Sequence, residues 1–421
     1  VHHPVDLNIG IVGFGARASL WREAHRPGQG ARVVAVCDLA ERSREEARAA
    51  LPEASVTASL DELLGMGLDA VMVLTPDHQH AAVAIAALEA GVPVFCEKPL
   101  AVTVEDADAI LETARRTGTR LYVGHNMRHM PVVVLMRRLI LEGRIGEVKA
   151  VWCRHFVGNG GDYYFKDWHA ERSKTTGLLL QKGAHDLDVI HWLAGAYSTE
   201  VQAMGSLTVY GGIDDRRDRS GERMRDWFSL DNWPPTAQTG LNPIIDVEDL
   251  SMVNLRLGNG VLASYQQCHF TPDYWRNYTV IGTEGRIENL GDTAGSEVRL
   301  WNRRHHGAAP ADETFIVPAA GEEAGHDGAD ALLVTEFLRF VREGGRTETS
   351  PVAAREAVAV GIRATESLRS GGGSLRVPAL DADLVAYFER GQVEPADGSA
   401  DAAGRAPVTV TVAPASVATM N

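Results

Sequence analysis

Leu7-Asn8-Ile9-Gly10-Ile11-Val12-Gly13-Phe14-Gly15-Ala16-Arg17-Ala18 is the stretch whose reading decides the fold. Leu7 to Val12 is apolar and short enough to be a buried strand, and it runs straight into a GxGxxA turn. The first glycine permits a tight turn, and the second lets the backbone approach a pyrophosphate. The alanine allows close helix packing, and the helix start offers N–H groups to phosphates. Glycine-rich turns are common in isolation, so the context matters. A plausible helix follows, and then a second strand over Ala31 to Val36, ending at Asp38. An acid at that distance accepts hydrogen bonds from adenosine ribose hydroxyls. Gly13, Phe14, Gly15, Ala16, Arg17 and Asp38 are therefore expected to hold a dinucleotide. Asp38 favours NAD over NADP because a carboxylate repels a ribose phosphate; Arg42 and Arg44 nearby work against that preference.

The alternation continues outward from this turn. Asp69 to Leu74 reads as a strand ending at Thr75-Pro76-Asp77-His78-Gln79-His80, and alanine-rich Ala81 to Ala90 as a helix stopped by Gly91. Val94-Phe95-Cys96 is a short strand that ends abruptly on Glu97-Lys98-Pro99. A helix over Val104 to Thr117 leads to a strand over Arg120 to Val123, ending at Gly124-His125-Asn126. Strands alternating with helices predict an N-terminal Rossmann domain, a doubly wound parallel sheet, over 1–126. In such sheets ligands bind beyond the carboxyl ends of the strands. Lys98, delivered there by a rigid strand, can reach a cofactor and a substrate at once. His125 and Asn126 end a neighbouring strand, whereas His80 could equally begin its helix on the surface.

The pattern changes from Val148. Strands are expected over Val148 to Phe156, Val201 to Val209, Ser251 to Leu257, Val261 to Gln267 and Tyr278 to Ile281, with Gly258-Asn259-Gly260 as a hairpin turn. This predicts a second α/β domain over 127–380, a mostly antiparallel open sheet with helices. A tail over 381–421 follows, in which Val408 to Val412 alternates like an edge strand. One helix, Leu178 to Leu193, carries Gln181, Lys182, His185, Asp188 and His191. Gln181 and His185, four apart, are expected on one face. Before it, Lys166, Trp168, His169, Arg172 and Lys174 set cations beside aromatic rings, a combination suited to a sugar carrying an anionic group. The irregular segment from Gly211 to Pro243, with Trp227, Phe228 and Trp233, reads as a lid. Helices are expected over Ala331 to Glu343 and Ala353 to Ser370.

The glycine turn, Thr75-Pro76 followed by His80, Glu97-Lys98-Pro99 and the His185 helix together resemble the Gfo/Idh/MocA oxidoreductases, the family of glucose–fructose oxidoreductase and inositol dehydrogenase. The resemblance covers roughly Asn8 to Asn289. It implies that Thr75, Pro76, His80, Glu97 and Asn126 join the cofactor site, that Lys98 contacts cofactor and substrate, and that His185 is the catalytic base. The family's aspartate four residues before the histidine is Gln181 here, which puts the usual proton relay in doubt. Lys182 beside it supplies positive charge instead.

A net charge of −15 argues against nonspecific nucleic-acid binding. No apolar run approaches the roughly 18 residues of a membrane span. Four scattered cysteines without a CxxC pair fit a reduced, cytoplasmic protein. His2-His3 and His305-His306 lack partners at metal-ligand spacing, so no metal is expected. The leading expectation is an NAD-dependent enzyme moving hydride to or from a ring carbon of an anionic sugar or glycoside, a homo-oligomer through its second sheet. The alternative is a redox-neutral glycoside hydrolase, for example on sulfoquinovosides, in which NAD is recycled through oxidation, elimination, water addition and reduction. A sugar sensor without turnover is the remaining class.

Overall fold

The computed structural model describes residues 5–319 and 328–394. Six parallel strands form the first sheet: β1 (Leu7–Val12), β2 (Ala31–Cys37), β3 (Ser55–Thr57), β4 (Ala70–Val73), β5 (Val94–Cys96) and β6 (Leu121–Val123). Their order is β3-β2-β1-β4-β5-β6, so the winding reverses between β1 and β4 and opens a crevice at their carboxyl ends. In this sheet only β3 was not legible as a strand, three residues being too few for a period to show; in the second sheet Arg286–Leu290, Glu297–Trp301, Glu313–Ile316 and Leu375–Arg376 were also not anticipated. Helix Val104–Thr117 illustrates why the connections fold locally. Thr103 Oγ1 accepts from Asp106 N (3.0 Å), acids occupy the first turn and arginines the last, and Gly118 closes it at φ +65°.

The second sheet has nine strands: β7 (Val148–Phe156), β8 (Ser198–Ser206), β9 (Leu250–Leu257), β10 (Leu262–Cys268), β11 (Trp275–Gly282), β12 (Arg286–Leu290), β13 (Glu297–Trp301), β14 (Glu313–Ile316) and β15 (Leu375–Arg376). Its order is β14-β13-β12-β11-β7-β10-β9-β8-β15. All pairs are antiparallel except β7 with β10. The fold class expected from the sequence is the one observed. The β8 strand begins at Ser198, ahead of its expected start. The alternating run Val408 to Val412 lies outside the described residues.

Two late helices tie the sheets together. Helix Ala329–Glu343 lays Leu333, Val334, Phe337 and Phe340 on the first sheet, against Ile9, Ile11, Phe95 and Tyr122. Helix Pro351–Arg369 buries Val352, Ala354, Val358 and Ile362 in the core on that sheet's other face, and Ala359, Val360 and Ala364 in the core of the second domain. Helix Ala382–Glu389 also returns to the first domain through Leu384, Tyr387 and Phe388. A single cut in sequence therefore does not separate the two bodies. This shared packing holds the carboxyl edge of β5 against the helices that follow Gly177. Among the described residues no helix is long and apolar enough to cross a membrane.

Candidate active site

The carboxyl ends of β1, β2, β4, β5 and β6 deliver the expected residues to one edge. Gly13 takes φ +93°, and a Cβ there would lie 2.7 Å from Leu74 C and Thr75 N, so the turn itself demands glycine. Asp38 accepts from Phe14 N (2.7 Å) and Ala40 N (2.8 Å), which fixes its carboxylate beside the turn. Arg42 pairs with Glu46 (3.1 Å) and Asp226 (2.9 Å). Arg44 pairs with Glu41 and donates to the carbonyls of Asp38 and Leu39 (both 2.8 Å). Both arginines are thus spoken for, and the competing pull toward a ribose phosphate is blunted.

Arg17, Glu97 and Asn126 are joined by a residue the sequence did not reveal. Arg17 Nε donates to Glu97 Oε1 (2.7 Å), and its terminal nitrogens donate to both oxygens of Asp330 (3.0 and 3.1 Å). Asp330 also accepts from Asn126 Nδ2 (2.9 Å), while Glu97 accepts from Lys98 N (3.0 Å). No local motif marks Asp330, which arrives on a helix more than three hundred residues along the chain. Glu97 and Arg17 therefore brace the edge, with their charges already answered.

His80 is buried, which corrects the reading of a surface helix start. Its two ring nitrogens lie 2.7 Å from Pro99 O and 2.9 Å from Thr75 O. An imidazole between two carbonyls must carry both protons, and its pKa is pushed up to about 10 against the cost of burial, with Cys96, Asp77 and the Pro99 carbonyl raising it. His80 thus staples the exits of β4 and β5 together; both of its nitrogens are used by backbone. Thr75 Oγ1 and Asn126 Oδ1 are buried with no hydrogen-bond partner among the described residues, as expected of groups awaiting a ligand.

Across the crevice, the expected helix Leu178 to Leu193 is interrupted at Lys182, giving Leu178–Gln181 and Gly183–Ala194. Lys98 Nζ donates to Gln181 O at this break (3.0 Å). His185 lies beside it, with Nδ1 buried and unpartnered among the described residues. Burial, then the charges of Lys98, Lys182 and Arg276, hold its pKa well below the ordinary histidine value. It is a neutral imidazole and not one poised near working pH, as its unperturbed value would suggest. Among the described residues no carboxylate pairs with it. Asp186 is committed to Arg276 (3.0 Å), His155 (2.9 Å), Tyr265 (3.0 Å) and Tyr278 (2.5 Å), and Asp188 to Arg128 through two bonds of 2.8 Å. Burial lowers the pKa of Lys98, and that of Lys182 falls to about 7, through burial first and then Arg276 and Lys98.

Two further residues face this point. Asp77, buried with Oδ2 unpartnered among the described residues, has its carboxyl pKa raised by burial against the pull of His80, Lys98 and His169. Its place directly after Thr75-Pro76 was the available signal. Arg276 lies on β11 with no motif around it.

The anion clamp expected of Lys166, His169, Arg172 and Lys174 does not form. Lys166 Nζ is buried against Asp162 (2.8 Å), His169 Nδ1 against Asp167 (2.5 Å), and Lys174 reaches Glu171 (3.1 Å). Arg172 Nε donates to the Asp246 carbonyl, and its Nη2 pairs with Glu248 (3.2 Å). Each charge is answered within the protein, so no external anion is needed to compensate it. Asp162 moreover anchors the segment 211–243, accepting from Asn232 Nδ2 (2.7 Å) and Gln238 Nε2 (3.2 Å) while its carbonyl accepts from Trp227 Nε1 (2.9 Å). Trp168 stacks on His169 with ring centroids 3.8 Å apart.

Residues 7–125 match the model of an oxidoreductase family with an NAD-binding Rossmann fold, and 137–377 match that family's C-terminal alpha/beta domain. The chain belongs to the Gfo/Idh/MocA oxidoreductase family. NAD is the cofactor of the family's N-terminal domain, and the Gly15 and Asp38 edge described above fits it. Among family members, inositol 2-dehydrogenase 1 of Saccharopolyspora erythraea is 37% identical over 193 residues, 45% of this chain and 55% of that protein. A 2,7-anhydro-N-acetylneuraminate hydratase of Mediterraneibacter gnavus is 31% identical over 242 residues, 54% of this chain and 63% of that one. The chain thus matches less than two thirds of either relative. A levoglucosan dehydrogenase solved with NADH and levoglucosan shares the fold, with a TM-score of 0.72 and 21% identity over 89% of this chain and all of that one.

Proposed function

We propose that this Gfo/Idh/MocA protein oxidises or reduces a ring carbon of a sugar or glycoside, with Lys98 and His185 as its catalytic residues. One observation carries the reading: Lys98, just past the cofactor-side strand β5, meets the substrate-side break at Gln181 (3.0 Å) beside an imidazole whose Nδ1 is unpartnered among the described residues. NAD, when bound, supplies the hydride acceptor or donor. Lys98 hydrogen-bonds the reacting oxygen, and His185, neutral by virtue of its surroundings, accepts the hydroxyl proton. Trp168 offers a flat face to the sugar ring.

The second reading, a redox-neutral lyase or glycosidase cycle, gains support from two observations. Gln181 occupies the place of the relay aspartate, and the cationic group of Lys98, Lys182 and Arg276 suits the enediolate that forms when the carbon beside a ketone loses its proton. The named hydratase relative is consistent with that chemistry. Incubation with NAD and a panel of sugars and aryl glycosides, following NADH and aglycone together, separates the readings. Net NADH supports the dehydrogenase, and aglycone without net NADH supports the cycle. Ligand-dependent stabilisation with neither product supports a sensor and removes both.

Substrate charge is read by Lys182 in place of the Lys166 to Lys174 loop. Its pKa near 7 means that it is charged below that pH and loses its proton as pH rises through it. For an anionic substrate KM should therefore rise by up to about tenfold per pH unit above 7, and stay flat for a neutral analogue. Parallel profiles for the two substrates would remove Lys182 from anion recognition.

Asp38 should make NAD preferred, and Asp38→Ser should narrow the preference by about tenfold or more, the scale of one close like-charge repulsion. Tighter binding of NADP than NAD by the unaltered protein would contradict that placement. The outer face of the second sheet pairs Met204 with Met252 and exposes Trp152 and Leu262, an apolar surface that fits a second copy of the chain. Trp152→Glu with Met252→Glu should reduce the mass measured by light scattering; an unchanged mass would place any interface elsewhere.

A further inference from the structure

The two glycines of the phosphate turn are needed for different reasons. Gly13 is demanded by the fold, as its positive φ and the 2.7 Å approach of Leu74 and Thr75 show. Gly15 is not. Its φ is −101°, and a Cβ there would meet one atom within 4 Å, Nη1 of Arg223 at 3.8 Å. The space above Gly15 is what close approach of a ligand requires, and the side chain bordering it comes from the second domain.

Arg223 lies on the segment 211–243, which crosses from its anchor at Asp162 to the helix Glu41–Ala50 behind Asp38. The crossing is held by other residues. Arg42 Nη1 donates to Gly221 O and to Asp226 Oδ2 (both 2.9 Å), and Arg225 Nη2 donates to Glu46 Oε1 (2.5 Å). Arg223 Nη2 donates to the Ser43 hydroxyl. Among the described residues Arg217 and Arg219 share Glu222, Arg225 takes Glu46, and Arg17 on the turn is consumed by Glu97 and Asp330. No carboxylate lies within ion-pair distance of the Arg223 guanidinium among the same residues.

We infer that Arg223 binds the diphosphate of NAD, so that the segment 211–243 is a strap laid by the second domain over the cofactor. A guanidinium without a counter-ion, bordering the space above the second glycine of a dinucleotide turn, offers paired donors where the phosphate oxygens need them. The remaining donors of the turn are backbone N–H groups, which leaves Arg223 as the cation for the diphosphate. Exchange of the cofactor then requires this strap to lift, and the bound cofactor in turn holds the strap down.

The test is titration of NADH into the full-length protein, with Kd measured for Arg223→Ala, Arg223→Lys and Arg225→Ala. Arg225 ties the same strap to Glu46 without facing the turn, so its loss loosens the strap while leaving the cation in place. Arg223→Ala should raise Kd about tenfold or more, Arg223→Lys should recover part of the loss, and Arg225→Ala should change Kd by less than about threefold. Added salt should weaken NADH binding more steeply in the unaltered protein than in Arg223→Ala, so that the difference between them narrows. An Arg223→Ala Kd within about threefold of the unaltered protein would overturn the inference, as would an equal loss in Arg225→Ala, which would assign the effect to strap position.

Discussion

Lys98→Ala should lower turnover by about 10² or more while leaving the Kd for NADH within several-fold, the scale of a positioned proton-transfer group. The expectation follows from where the side chain spends its reach. Lys98 Nζ extends past the cofactor edge to Gln181 O, while Glu97, Arg17 and Asp330 brace the strand beneath it without using the ammonium. Burial also lowers its pKa, so the amine can exchange a proton with a hydroxyl more readily than an exposed lysine. Stopped-flow measurement of hydride transfer alongside NADH titration gives both numbers. Near-normal turnover in the variant would remove Lys98 from the chemistry, and a parallel loss of cofactor binding would make it a cofactor residue alone.

His185→Asn should cost about 10² to 10⁴ in kcat, the range for loss of a general base, with little change in KM. Its pH profile carries the sharper prediction. A base works while deprotonated, and His185 is held well below the ordinary histidine value by burial and by Lys98, Lys182 and Arg276. As pH falls through 6.5, kcat should therefore stay on its plateau, where an unperturbed histidine would already be losing activity. An acid limb centred near 6.5 would show either that the bound substrate raises this pKa strongly or that another group is the base. His185→Asn separates these, because the limb disappears only in the first case.

The parts of this molecule that were legible in its sequence are those in which chemistry and fold share a short stretch. Gly13, Gly15 and Asp38 sit at the exits of adjacent strands, and the spacing that builds the turn also places the acid. Lys98 was legible because two charges closing a buried strand have few purely structural uses. The loop from Lys166 to Lys174 misled for the opposite reason. Its cations are visible in sequence, but the groups that answer Arg172, the Asp246 carbonyl and the Glu248 carboxylate, lie over seventy residues away. Asp162, four residues before Lys166, takes its ammonium and at the same time anchors a distant segment. Asp330 and Arg276 reach the site through packing of whole helices and strands, so no local pattern could announce them. The break at Lys182 was hidden as well, since apolar residues at helical spacing, Leu178 to Leu180 before it and Leu187 to Leu193 after it, lie on both sides.

The role of Gln181 follows from the same geometry. Its carbonyl receives Lys98, its side-chain oxygen is buried and unpartnered among the described residues, and Asp77 from the cofactor domain reaches its side chain. Asp77 thus brings a carboxyl to Gln181 from the other side of the crevice, where burial works against its charge and Lys98 and His169 favour it.

The most direct test of the central claim is the fate of the ring hydrogen. A substrate identified from the sugar panel, deuterated at its ring C–H positions one at a time, is turned over with NAD, and the quenched nicotinamide is examined by mass spectrometry. The account predicts deuterium on the nicotinamide from a single ring position, in free NADH for a dehydrogenase or in the enzyme-bound pool for a redox-neutral cycle, and its transfer slowed by about 10² or more with Lys98→Ala. Conversion of the substrate with no deuterium reaching the nicotinamide from any ring position would contradict it.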